Sequence, residues 1–312
     1  MSEDITRHQI ISIVGATASG KTERALQIAR ENIRTGIFQK VHLLSADSRQ
    51  VYRGLEILTG ADIPTGWQRT REEHLALDFF KSPDAAMTLH GVSVIGADQE
   101  WSVAHFAKLY QQLRQQLSEQ EQLIVVGGSG SYQKQLQGEF DSLDIPPNAD
   151  LRETLNLLSV EELQERLGTL NPTRLEQMNN SDAHNPRRLI RAIEIAHAQQ
   201  ADPTLLNDRS DTVQVPLIYL QSDEALRERA IRERVAARFP LALQEIQALL
   251  SKYQLNLKEL PNWQSLSSTG IKALVAYLRG EIDQSTCLEN WAKQEIRYAK
   301  TQQLYTDKHV LY

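Results

Sequence analysis

Gln9-Ile-Ile-Ser-Ile-Val14 runs directly into Gly15-Ala-Thr-Ala-Ser-Gly-Lys-Thr22. The first stretch is short, apolar and β-branched, as expected of a buried parallel strand that feeds a loop. The second fits G-x-x-x-x-G-K-[ST], and Ala25, Leu26, Ala29 and Ile33 follow it at helical spacing. Strand, glycine-rich loop and helix in that order form a P-loop, in which backbone N–H groups and the helix amino terminus face a phosphate. The predicted phosphate-binding residues are therefore Gly15, Ala16, Thr17, Ala18, Ser19, Gly20, Lys21 and Thr22, with Thr22 the candidate ligand of Mg2+. By itself the loop reads as a nucleotide or ATP site.

Outward from the loop, strands and helices alternate as a doubly wound parallel sheet requires. Strands are predicted over Val41 to Ser45, Thr88 to Ile95, Leu123 to Val126 and Val213 to Leu220, with helices over 21–34 and 103–118. The second strand delivers Asp47 and Ser48 at its carboxyl end, the edge where ligands of such sheets bind. From about Phe140 to Pro203 the β pattern vanishes and prolines punctuate helical segments. Four helical patterns fill 223–304, with breaks expected at Phe239-Pro240, near Pro261-Asn262 and at Gly280. The fold class is thus α/β: a P-loop parallel-sheet core with a helical insertion and a helical C-terminal region. The expected organisation is 1–139 as the first part of the core, 140–205 as an inserted helical domain, and 206–312 as a return strand and C-terminal helices.

The chain has 312 residues and a formal net charge of −6, which argues against indiscriminate coating of nucleic acid. A single cysteine, Cys287, excludes a disulfide framework, and no apolar stretch is long enough to span a bilayer. A cytoplasmic protein without a membrane partner is expected. Arg227, Arg229, Arg232, Arg234 and Arg238 cluster in one helix, but Glu224, Glu228 and Glu233 interleave them. Spacings such as Glu228 to Arg232 suit intrahelical pairs, so a solvated, self-paired face competes with a phosphate track.

Asp47 begins Asp47-Ser48-Arg49-Gln50-Val51-Tyr52-Arg53-Gly54. On position alone it is either a turn cap or a carboxylate that orders metal-bound water or takes a proton. Together, the P-loop, this segment, Val125-Val-Gly-Gly-Ser-Gly-Ser-Tyr132 and Arg187-Arg-Leu-Ile-Arg-Ala-Ile-Glu194 resemble the ordered motifs of the tRNA dimethylallyltransferase family, also called tRNA isopentenyltransferase. The resemblance extends over about residues 9 to 303. It implies transfer of a dimethylallyl group from dimethylallyl diphosphate to N6 of an adenosine adjacent to the anticodon. The partner would be the anticodon arm of tRNA, contacted in part by the insertion.

By match to the family motifs, Asp47 is the general base, and Ser48, Arg49 and Gln50, with Asp47, contact the target adenosine. Thr17 and Lys21 bind the diphosphate. Ser129 stands where the family has threonine, keeping a hydroxyl near the leaving group, and Arg152 falls where the family has arginine. The diphosphate is then a leaving group and no phosphoryl group moves, which suits a strand at 123–126 that ends in Gly127-Gly128 without a Walker-B carboxylate.

The sequence departs from the family pattern at several arginine positions. Glu295-Ile-Arg-Tyr-Ala-Lys-Thr-Gln-Gln-Leu-Tyr305 aligns with T-R-x-Y-A-K-R-Q-x-T-W, which puts Ile296 and Thr301 at arginine positions. Keeping Ile231 and Val235 in register with L-Y-E-R-I-x-x-R-V puts Ala230 at another. Competing readings are therefore a catalytically impaired RNA- or phosphate-binding relative, a P-loop nucleotide kinase and an adenylate prenyltransferase.

Overall fold

A computed structural model describes residues 4–71, 77–136, 145–202, 205 and 215–309. The chain divides into two compact units, Met1–Gln137 with Val213–Tyr312, and Gly138–Thr212.

The first unit is built on one sheet in the order β3-β4-β5-β2-β6-β1-β7. Its strands are β1 (Ile10–Val14), β2 (Lys40–Ser45), β3 (Gln68–Thr70), β4 (Phe79–Lys81), β5 (Met87–His90), β6 (Glu121–Gly127) and β7 (Leu217–Tyr219). β5, β2, β6, β1 and β7 run parallel, while β3 and β4 add antiparallel pairs at one edge. Helix α1 (Lys21–Arg34) connects β1 to β2, yet β6 lies between those strands, in register with both. The carboxyl ends of β1, β2 and β6 therefore sit side by side, as the crevice of an open α/β sheet requires.

Alternation along the strands buries both faces of the sheet. Ile11, Ile13, Val41, Leu43 and Ile124 pack on one side with Ala25, Leu26, Ile28 and Ala29 of α1. Leu44, Leu123 and Val125 pack on the other with α3 (Val103–Gln116), α10 (Glu224–Lys252), α11 (Ile271–Leu278) and α12 (Gln284–His309).

Three expected elements differ. The strand predicted over Thr88 to Ile95 stops at His90, because Gly91 and Ser93 take left-handed φ values of 74° and 54° and turn the chain. The return strand is confined to Leu217–Tyr219, after Pro216, whose carbonyl still accepts from Ser12 N at 2.8 Å. Positions 213 and 214 of that prediction lie outside the described residues. The break expected at Phe239-Pro240 does not occur, and α10 runs through Pro240 for 29 residues. An interior proline costs a helix about 3 kcal/mol, but burial of Ile231, Val235, Phe239, Ala242 and Ile246 on one stripe outweighs it. The breaks near Pro261 and Gly280 are present.

In the second unit α5 (Ala149–Leu155), α6 (Val160–Leu170), α7 (Pro172–Glu176), α8 (Asn180–Ala183) and α9 (Pro186–Ala201) close around Leu155, Leu163, Leu167, Leu189 and Ile193. Ser159, Asn171, Asn179 and Asn185 cap four of these helices with side-chain oxygens, the chemistry that free helical N–H groups demand.

Candidate active site

The predicted P-loop does bend from β1 into α1. Helix α1 has no side-chain cap at its amino terminus, so its first N–H groups face outward as an anion site. Ala18 is held at φ 60°, an uncommon conformation for a residue with a Cβ. Among the described residues the buried hydroxyl of Ser19 has no hydrogen-bond partner. Lys21 Nζ donates to Ala16 O at 2.6 Å, and Thr17 N donates to Gln302 Oε1 at 2.8 Å. Burial lowers the Lys21 ammonium to about 8, with Asp47 opposing the shift and Arg234 adding to it.

Asp47 is placed beside the loop by the carboxyl end of β2. Its Oδ1 accepts from Arg49 N at 2.8 Å, the turn-capping contact that one reading of the sequence expected. Burial nevertheless raises its pKa, against the opposing pull of that N–H, Lys21, Arg49 and Arg234. The residue is thus a half-buried carboxylate, more basic than usual, with cations around it.

Two cavities meet at Asp47. The larger, about 300 Å³, is lined by Thr17, Lys21, Thr22, Asp47, Ala230 and Arg234 among others. The smaller, about 90 Å³, is lined by Thr17, Asp47, Arg49, Arg238, Glu295 and Tyr298, with Ser267 to Thr269 closing it. Thr17 and Asp47 belong to both, so an anion at the P-loop and a group in the smaller cavity would meet at the carboxylate.

The close approach of three strand ends explains the missing Walker-B residue. A Cβ at Gly127 would overlap Ala46 after β2, and one at Gly128 would fall 2.7 Å from Gly15 O after β1 and 2.6 Å from Gln302 Nε2. No side chain fits where β6 passes the loop.

The other predicted residues divide. Gln50 lines the larger cavity, its Oε1 accepting from Ser45 Oγ at 2.7 Å and its Nε2 donating to Gly60 O at 3.0 Å. Arg49 Nη1 donates to Gln264 O and Ser267 Oγ, both at 2.8 Å. Ser48 and Ser129 line neither cavity. Ser129 instead begins the turn into α4 (Gly130–Leu136), its carbonyl accepting from Tyr132 N and Gln133 N. Arg152 belongs to the helical unit, where it is bidentate on buried Glu194 at 2.8 and 3.0 Å.

The arginine helix is not one face but several. Arg229 pairs with Glu233 at the surface, as i,i+4 spacing allows. The expected Glu228 to Arg232 pair is replaced by longer-range contacts: Glu228 meets Lys300 at 3.2 Å, and Arg232 meets Glu289. Arg227 is buried and donates to Ser222. Only Arg234 and Arg238 turn toward the cavities. Ala230 lines the larger cavity and Arg229 does not, which agrees with the alignment that keeps Ile231 and Val235 in register. Ile296 packs against the apolar core, and Thr301 Oγ1 bonds Arg297 O of its own helix at 3.0 Å; neither lines a cavity.

Sequence reasoning missed Gly60, Asp62, Arg238 and Glu295 as cavity residues and passed over Gln302 as a mere match. For Arg234 and Arg238 a signal existed. Each precedes by one position a member of the stripe Ile231, Val235, Phe239, as does Ala230, so the three share the edge of the buried face.

Sheet order, glycine-rich loop and adjoining carboxylate define a P-loop protein with Asp47 set beside the loop. Residues 50–309 match the family described as IPP transferase. The chain is 34% identical to tRNA dimethylallyltransferase 1 of Geotalea daltonii, over 77% of this chain and 69% of that one. It is 29% identical to tRNA dimethylallyltransferase of Thermus thermophilus, over 93% and 86%. Among solved structures, it overlays a eukaryotic dimethylallyltransferase acting on tRNA with a TM-score of 0.70 at 19% identity, over 96% and 70% of the two chains. It overlays a tRNA isopentenylpyrophosphate transferase of Bacillus halodurans with a TM-score of 0.58 at 24% identity, over 96% and 86%. The chain belongs to the IPP transferase family, whose members are prenyltransferases.

Proposed function

We propose that this protein transfers the dimethylallyl group of dimethylallyl diphosphate to N6 of an adenosine adjacent to the anticodon of tRNA. The observation that carries the reading is Asp47, a half-buried carboxylate shared by the P-loop cavity and the smaller cavity beside it. An exocyclic arylamine is a weak nucleophile, and a base at the nitrogen lowers the barrier as the C–N bond forms. In this reading C1 of the donor bonds to N6, the C1–O bond to diphosphate breaks, and the N6 proton passes to Asp47. Burial suits Asp47 to the task, because a carboxylate more basic than usual takes a proton more readily. The P-loop amides, the Ser19 hydroxyl and Lys21 receive the charge left on the diphosphate.

The oxygen-rich wall of the larger cavity, with the hydroxyl of Thr22 and the carboxylates of Glu23 and Asp62, fits a hard cation such as Mg2+. Bound there with the diphosphate, the ion would further neutralise the leaving group, Thr22 being the residue to hold it. Family membership supports a tRNA acceptor, here taken to be its anticodon arm, and exposed Arg187 at the amino end of α9 offers the helical unit a phosphate contact.

The test is single-turnover reaction of purified protein with dimethylallyl diphosphate and an anticodon stem-loop, read by mass spectrometry of the nucleosides. Prenylated adenosine from the wild type and none from Asp47→Asn is the expected pair of results. Binding of both substrates without product would overturn the reading. Ala230 at an arginine position favours a second reading, a noncatalytic phosphate-binding relative, and the same assay decides between them.

A further inference from the structure

Ala230, Arg234 and Arg238 stand four residues apart, so they succeed one another along one side of α10. The first, in the wall of the P-loop cavity, carries no charge. Arg234 lies one turn on, its Nη1 3.4 Å from Thr17 Oγ1. Arg238 lies a turn further and opens on the smaller cavity beside Asp47 and the same Thr17.

These two guanidinium groups are packed together against Gly60. A Cβ there would overlap Nη2 of both, and Gly60 is held in place because Glu245 of α10 accepts from Ile57 N and Leu58 N, each at 2.8 Å, at the start of α2 (Glu56–Thr59). Their counter-charges are distant or already engaged, Glu245 acting on Arg238 while its oxygens accept from Ile57 N and Leu58 N. Asp62, itself 57% exposed, is 3.6 Å from each, and Glu295 is 3.9 Å from Arg238. Glu295 Oε1 is already engaged by Trp291 Nε1 at 2.9 Å. Among the described residues no acceptor lies within hydrogen-bond distance of Arg238, although its side chain is only 12% exposed. A guanidinium has five donors, and withdrawing them from water without acceptors is costly. Two such cations side by side call for an acceptor-rich anion.

We infer that Arg238, with Arg234, grips the diphosphate of the donor at the end next to Asp47 and supplies the charge that Ala230 does not. As the C1–O bond breaks, its electron pair passes to the diphosphate oxygen, and the guanidinium pair faces that oxygen while Lys21 and the loop amides hold the far phosphate. Burial and the charge of Arg234 already push Arg238 down to about 10, the behaviour of a cation short of partners. The identity of the ester rests on the prenyl-transfer reading. The grip itself needs only a diphosphate.

The test measures inorganic pyrophosphate binding by calorimetry and single-turnover prenyl transfer, in the wild type, Arg238→Met, Arg238→Lys and Ala230→Arg/Arg238→Met. Arg238→Met should weaken pyrophosphate binding by roughly tenfold or more, and slow transfer at saturating donor as well. Lysine keeps the charge but not the fork, so its values should fall between. Arginine at 230 in the methionine background should recover part of the affinity. Pyrophosphate affinity within twofold of wild type in both single variants, at unchanged melting temperature, overturns the grip. If Arg238→Met does not fold, Arg238→Lys decides by the same criterion. Wild type that binds pyrophosphate yet transfers no prenyl group sinks the prenyl-transfer reading and leaves the grip to the binding arm. Wild type that binds no pyrophosphate sinks the grip.

Discussion

Arg152 and Arg238 are the same side chain held in two opposite ways, one in each unit of the chain. In the helical unit Arg152 and Arg191 converge on Glu194, which is 2% exposed and also accepts from Asn148 N at 2.8 Å. Both arginines there reach a carboxylate within hydrogen-bond distance. In the P-loop unit Arg234 and Arg238 share one half-exposed aspartate at distances beyond hydrogen bonding. Satisfied cations belong to the framework, whereas a buried cation short of acceptors marks where a ligand completes the structure.

That contrast makes opposite demands on stability and function. The largest effect should come from Asp47→Asn, which keeps the shape but removes the base. Single-turnover transfer should fall by about 10² to 10⁴, with melting temperature unchanged or higher because a half-buried carboxylate is relieved of its desolvation. A fall in stability with transfer intact would erase the distinction between the regions. In the helical unit the reverse is expected. Glu194→Ala strands two arginines and should cost that unit roughly 2 kcal/mol, less than a fully buried pair because Arg152 stays partly solvated. Urea titration followed by a probe in that unit measures this, while pyrophosphate affinity should not move.

The pH profile sharpens the contrast further. For the free enzyme kcat/KM should rise as Asp47 loses its proton, at a pH above the ordinary carboxylate value of about 4. It should fall again above about pH 8 as Lys21 becomes neutral and no longer attracts the diphosphate. A profile with no acid limb above pH 4 would refute the Asp47 assignment, and one flat from pH 7 to 9 that of Lys21. The smallest effect should come from Arg229→Ala. Its pair with Glu233 is solvated at both ends, at 78% and 66% exposure, so neither melting temperature nor transfer should change measurably.

What the sequence made legible was local. The P-loop could be read because its chemistry is written in eight consecutive residues, and Asp47 because it follows a strand whose end faces the loop. The arginine cluster of α10 could be read either as a solvated, self-paired face or as a phosphate track, because the sequence does not show what lies across from Arg234 and Arg238. Pro240 looked like a break because local preference favours one, and only packing along the whole helix overrules it. Gln302 could not be connected to Thr17 by any pattern, since 285 residues separate the hydrogen-bond partners. Gly127-Gly128 was legible as an oddity, and its steric cause required seeing three strand ends together.

That last separation sets a timetable. The lining of the two cavities runs from Thr17 to Gln302, and β1 sits between β6 and β7, strands made long after it. A ribosome that has released the P-loop has still to make the arginines of α10 and the glutamine of α12. The growing chain therefore carries the anion loop for most of its synthesis without the rest of its site. The contacts that α10 and α12 make with the loop therefore form only after those helices have been made.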